Sequence, residues 1–269
     1  MRSGDEPMPD SAEAGRAAFP ILEFDPDVEA FIEPSQVVDR IDGLPARAVI
    51  CFFQEVIEEV CGQGRASIVT RLKWEHGMHP LYDLDVGDGN HVAVFHPGVG
   101  APLAAGLLEE VIAHGCRAFV ACGGAGAIIP GLAMGHVIVP TAAIRDEGTS
   151  YHYAAPTREI AADPDDVAVA VAVLERHGVP YSTGVTWTTD APYRETAARI
   201  ARRREEGCLT VEMETAAFIA VARHRGVQFA QYLYAGDDVS GQAWDQRAWH
   251  TSSARRELFH LAVEAVLEL

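Results

Sequence analysis

Positive charge is scarce in this chain of 269 residues: 21 Lys and Arg face 39 Asp and Glu, for a formal net charge of -18. A field of that sign repels phosphate backbones and anionic lipid surfaces, which argues against nucleic acid or membrane as partners. Long hydrophobic runs are missing as well. No stretch reaches the ~18 apolar residues of a membrane span, and the polar, acidic segment from Met1 to Gly15 has neither the basic nor the apolar part of a signal peptide. Cysteine is sparse: Cys51, Cys61, Cys116, Cys122 and Cys208 form no CxxC pair and no metal-ligand spacing. Neither a disulfide framework nor a metal centre is expected, and buried thiols in a reducing cytoplasm suit this pattern. His76 and His79 flank a glycine that breaks any helix, with no third ligand spaced nearby, so that stretch is expected to be a loop.

What is abundant is apolar residues, 48% of the chain, enough to fill one large core. Residues 1–45 are expected to form an N-terminal extension, partly disordered between Asp5 and Phe19, and residues 46–269 a single domain. Short β-branched runs predict strands at Ala48–Phe53, His91–His96, Ala118–Cys122, Val137–Pro140, Gly184–Thr188 and Phe229–Tyr234. Helical spacing marks Gln54–Val60, Ala101–His114 before Gly115, Val167–His177 before Gly178, and Thr215–His224 before Gly226. Ser253–Leu269 predicts an amphipathic helix with Ser252 or Ser253 as N-cap. Asp163–Asp166 is expected to be a solvated loop and helix start, and Arg202-Arg203-Arg204 a solvated helix face. Strand and helix alternate throughout, so the fold class is α/β.

Several motifs carry chemistry. In Val211-Glu212-Met213-Glu214, a carboxylate beside a methionine suits two ribose hydroxyls and the sugar face, while Asp237, in Asp237-Asp238, supplies a separate acid for a leaving base. That is equipment for breaking an N-glycosidic bond. Taken in order, Gly98-Val99-Gly100-Ala101-Pro102, Gly123-Gly124-Ala125-Gly126, Thr188-Thr189-Asp190, Val211-Glu212-Met213-Glu214 and Gly236-Asp237 are similar to the successive motifs of the uridine and purine nucleoside phosphorylase superfamily. The stretch from Gly135 to Ala154 most resembles uridine phosphorylases. Any one of these motifs is common; five in order are specific.

The resemblance implies a single three-layer domain with a central mixed β-sheet flanked by helices, and a small-molecule nucleoside as substrate. It implies ribose binding by Glu212, Met213 and Glu214, with Asp237 and Arg247 at the leaving base. Gly124, Ala125, Gly126, Thr189, Asp190 and Tyr193 would contact the base, and Trp244 would close the pocket or staple the C-terminal helix. It implies no cofactor beyond phosphate as a co-substrate, and a homo-oligomer (dimer, trimer or hexamer) in which Arg71 crosses to a neighbour's site. Gly98, Val99, Gly100 and Arg71 form the anion side.

On that side the chain departs from the family. The phosphate loop after the first strand reads Cys51-Phe52-Phe53-Gln54-Glu55, the arginine position is Ala121, and the hydroxyl position is Gly124. Glu55 falls where the hydrolytic branch, similar to methylthioadenosine nucleosidases, keeps a water-activating glutamate. Three readings therefore stand: hydrolysis through Glu55, narrowly favoured; phosphorolysis with Arg71 and backbone amides holding phosphate; or a nucleoside-binding protein without turnover.

Overall fold

The computed structural model describes residues 17–247 and 252–269. Its elements are α1 (Pro34–Val37), β1 (Arg47–Cys51), α2 (Gln54–Gly62), β2 (Ala66–Trp74), β3 (Gly77–Gly87), β4 (Asn90–Phe95) and α3 (Ala101–His114). There follow β5 (Ala118–Ala127), β6 (Val137–Asp146), β7 (Glu159–Ala161), α4 (Pro164–Arg176), β8 (Tyr181–Thr189) and α5 (Ala197–Glu205). The chain closes with β9 (Cys208–Glu212), α6 (Thr215–Arg225), β10 (Gln228–Asp238) and α7 (Ser252–Glu268).

Side chains alternate across the central strands with the two-residue period of a pleated strand. In β1, Val49 and Cys51 join one core while Ala48 and Ile50 join the other. β4 divides Val92 and Val94 from Ala93 and Phe95, and β5 divides Val120 and Cys122 from Phe119 and Ala121. The first core is covered by α2, α4 and α7 through Val56, Leu174 and Phe259, the second by α3 and α6 through Leu107 and Phe218. This is the expected three-layer arrangement, and the sheet between the layers is mixed.

Strand order is β10-β6-β8-β9-β5-β1-β4-β3-β2, and β10 also pairs with β5 in parallel. Five strands thus close on themselves, while β1, β4, β3 and β2 run on as an open wing. β9 meets β5 only at Gly126↔Val211 and Ala127↔Thr210. That crossing brings the end of β9, and the acids after it, against the second glycine motif.

Several expectations need correction. The strand expected at Ala118–Cys122 runs on to Ala127: Gly123–Gly126 belongs to the second half of β5, with Gly123, Gly124 and Ala125 held by Leu233, Tyr234 and Ala235 of β10. The β2–β3 hairpin lacks a strong periodic signal because most of its residues are half-buried or exposed; His79 lies in β3, its ring nitrogen 2.6 Å from that of His76. Asp166 is not solvated: it is buried and accepts hydrogen bonds from Phe229 N (2.9 Å) and Gln228 Nε2 (3.2 Å), while Asp163 caps α4. The basic run in α5 is not a solvated face either. Arg203 is buried, bonded to Asp146 (3.0 Å) and Glu206 (2.8 Å), and Arg204 donates to the carbonyls of Ile128 and Ser240.

The extension between residues 17 and 45 is mostly exposed but tied down, by Glu33 to Arg225 (2.8 Å) and by Ile41 N to His114 O (2.9 Å). Most of Asp5–Phe19 lies outside the described residues. The position preceding α7, where the N-cap would sit, also lies outside them, and the helix itself begins at Ser252. No helix among the described residues is long and apolar enough to cross a membrane. Among the same residues, no group of three or more His, Cys, Asp or Glu is placed to hold a metal ion.

Candidate active site

Beyond β4 the chain turns sharply into α3. Gly98 (φ 76°) and Gly100 (φ 92°) take backbone conformations that side chains disfavour. His96 Nδ1 accepts from Gly98 N (2.9 Å), and burial pushes the His96 pKa down, so the neutral ring holds the turn. Gly100 N donates to Glu214 Oε1 at 2.5 Å, across 114 positions of sequence. Two motifs read separately in the sequence therefore meet in one contact.

Glu212 and Glu214 are both buried, yet they do different work. Glu212 ends β9 and its Oε2 accepts from the backbone N–H of Glu214 and Thr215 (2.7 Å each), which are orphan donors at the start of α6. Its other oxygen accepts from Thr188 Oγ1 (2.6 Å), whose own oxygen accepts from Ala216 N (3.0 Å). Burial raises the Glu212 pKa and these donors oppose it. Glu214 is pushed up to about 8 by burial and then by the Glu212 charge, with the Gly100 N–H pulling the other way. Of the two, Glu212 has the more hydrogen-bond donors to oppose burial. Glu212 is thus a cap for the helix that presents Glu214, and it lines the same cavity.

The two acids border a cavity of about 460 Å³ that Val99, Gly124, Ala125, Gly126, Met213 and Asp237 also line. Asp237 lies within β10, and Trp244 Nε1 donates to its Oδ2 at 2.6 Å. A methyl group at Gly126 would stand 3.0 Å from Val211 Cγ1 and 3.4 Å from Asp237 Oδ1, so the side chains of β9 and β10 pack tightly against bare backbone here. Trp244, 60% exposed, covers Asp237 rather than stapling α7.

Other candidates lie elsewhere. Thr189 is buried away from the cavity, Asp190 accepts from Gly148 N (2.9 Å), and Tyr193 is 99% exposed; none of the three lines the pocket. Arg247 is drawn off by Asp238 and the Leu132 carbonyl. Arg71 is exposed on the β2–β3 wing, outside the pocket. The N–H groups of Gly98 and Gly100, expected to take an anion, are committed to His96 and Glu214. Glu55 does not line the cavity; its Oε1 accepts from Arg255 Nη1 at 2.5 Å. His152 borders a different, larger cavity of about 820 Å³ between the N-terminal extension and α3.

Two functional candidates escaped the sequence. Glu195 lines the cavity, its pKa pushed up to about 7 by burial and then by the Asp237 charge. It stands two residues after Tyr193, just past a short helix of Pro192–Arg194, and no motif marks a lone glutamate there. Arg255 also lines the cavity, from α7, and nothing local in an amphipathic helix distinguishes it.

Similarity to known proteins fits this layout. A guanosine phosphorylase from Halorubrum lacusprofundi is 30% identical over 141 residues, 52% of this chain and 58% of that protein. A uridine phosphorylase from Thermococcus kodakarensis is 36% identical over 121 residues, 44% of each chain. The chain therefore spans well under two thirds of these relatives' lengths. The crystal structure of uridine phosphorylase from Vibrio fischeri superimposes with a TM-score of 0.72 at 20% identity, covering 90% of this chain and all of that one, a likeness of fold. The family model described as Phosphorylase superfamily matches residues 46–268, nearly the whole folded part, and the chain belongs to that superfamily.

Proposed function

We propose that this protein cleaves the N-glycosidic bond of a nucleoside and transfers the pentose to phosphate. The observation that carries the reading is the contact of Glu214 with Gly100 N on the wall of a cavity that Met213 and Asp237 share. Two ribose hydroxyls donating to Glu214 favour its anion, which in turn stabilises positive charge growing on the sugar as the bond to the base lengthens. Met213 packs on the sugar with a deformable thioether. Asp237 and Glu195 face the departing base, and Glu195, neutral below about pH 7, has a proton to offer it. A phosphate oxygen then bonds to the anomeric carbon, and the base leaves with the electron pair of the broken bond.

Phosphate is preferred to water for two reasons. The relatives named above are phosphorylases. Glu55, on which hydrolysis depended, is turned to Arg255 rather than to the cavity. No cofactor enters the scheme. A homo-oligomer in the cytoplasm remains the setting we propose for it.

The test is a panel of uridine, inosine, guanosine and adenosine, incubated with and without phosphate. Free base together with pentose 1-phosphate, formed only when phosphate is present, is the expected result. Base release at the same rate without phosphate overturns the choice of acceptor, and no release from any nucleoside overturns the activity.

A further inference from the structure

A phosphate dianion entering this cavity meets acids on most sides: Glu195, Glu212, Glu214 and Asp237 all line it. Whatever negative charge these acids carry repels it unless a cation offsets that charge. Among the described residues that line the cavity, Arg255 is the one arginine, and there is no lysine. Its side chain is 9% exposed, whereas that of its partner Glu55 is 48% exposed. The guanidinium is held from the protein side: Nε donates to Tyr234 Oη (3.1 Å), and its carbon lies 5.0 Å from the Phe53 ring centroid. A methyl group on Gly124 would stand 3.2 Å from the Tyr234 ring, so bare backbone flanks the ring that orients Arg255.

We propose that Arg255 is the residue that binds the attacking phosphate, and that the Glu55 carboxylate occupies its outer face until phosphate displaces it. The inference rests on the phosphorolytic reading above and adds the nucleophile's binding residue. A planar, fixed guanidinium bonds two oxygens of a phosphate at once, where Glu55 now takes one N–H. Glu55 is the more exposed half of the pair, while Arg255 is packed between Phe53 and Tyr234. With Arg255 holding the phosphate, one oxygen bonds to the anomeric carbon as the bond to the base breaks, and the base takes the electron pair. This assignment reverses the role of Glu55: a competitor of the nucleophile, not its activator.

Three variants test it: Arg255→Gln, Arg255→Lys and Glu55→Gln. Phosphate KM is measured at saturating nucleoside, nucleoside KM at saturating phosphate, and inorganic phosphate binding by calorimetry. Arg255→Gln is expected to raise phosphate KM about tenfold or more, the scale of a lost charge-assisted hydrogen bond, with nucleoside KM nearly unchanged. Arg255→Lys should fall between. Glu55→Gln should lower phosphate KM and tighten phosphate binding. Helix α7 is also anchored by the buried Leu258, Phe259 and Ala262, and thermal melts of the Arg255 variants check that each one folds.

Phosphate KM and binding unchanged in Arg255→Gln overturn the proposal, as does weaker phosphate binding in Glu55→Gln. If the unaltered protein turns over no nucleoside, the proposed function fails on its own. Calorimetry then still decides: binding lost in Arg255→Gln supports the inference, and equal binding refutes it.

Discussion

Glu214→Gln separates chemistry from stability. The amide has the shape of the carboxyl and its oxygen still accepts from Gly100 N, so the turn and the helix start are retained. What disappears is the anion. A hydrogen bond to a charged acceptor contributes ~1.5–3 kcal/mol, against ~0.5–1.5 for a neutral one. For two ribose hydroxyls the loss is about 2–3 kcal/mol, or roughly 30- to 160-fold in kcat/KM at 1.36 kcal/mol per decade. Stability moves the other way. Because the Glu214 pKa is raised from 4.5 to about 8, its contribution to stability is full below the lower value and is lost progressively as pH rises to the upper one. The glutamine variant carries no such charge beside Glu212 and should equal the unaltered protein only below the ordinary value of 4.5, already exceed it in Tm at pH 6 and exceed it further at pH 9. Steady-state kinetics and thermal melts at the two pH values check both halves. A fall in kcat/KM below threefold, or one accompanied by a large drop in Tm at pH 6, refutes the role given to Glu214.

Glu212→Ala should behave in the opposite manner, because it strips the acceptor from Thr188 Oγ1 and from two buried N–H groups. At ~1–3 kcal/mol for each orphaned group, offset in part by water, a destabilisation on the order of 3–5 kcal/mol is expected in urea unfolding, and a change under about 1 kcal/mol contradicts the capping role. For Glu195→Gln, Tm should match the unaltered protein below the ordinary value of 4.5 and exceed it increasingly up to about pH 7, since burial and then the Asp237 charge make ionisation of Glu195 unfavourable. A Tm difference that stays flat from pH 5 to 9 removes that pairing.

Much of the fold could be read from local pattern. Alternation in β1, β4 and β5 and the helical spacing of α3 and α6 depend on neighbours within a few residues, and burial follows those periods directly. Strand lengths were less legible: β5 continues through Gly123 and Gly124 only because the parallel ladder of β10 supplies partners that glycine's own preference does not. The same distinction governs the site. Glu214, Met213, Asp237 and Gly126 stand in ordered motifs, and the fold brings them to one cavity.

The amino-acid order by itself determined the α/β class, the two glycine motifs and the acidic pair after β9, because each is a short-range pattern of residue types. Tertiary structure alone decided that Glu212 caps α6 while lining the cavity beside Glu214, that Tyr193 and Arg247 turn away, and that Glu195 and Arg255 turn in. Arg255 meets Glu55 from 200 positions away. Such contacts depend on how α7 packs across α2 and β1, and no local spacing encodes the direction in which a helix presents one arginine to a distant strand end.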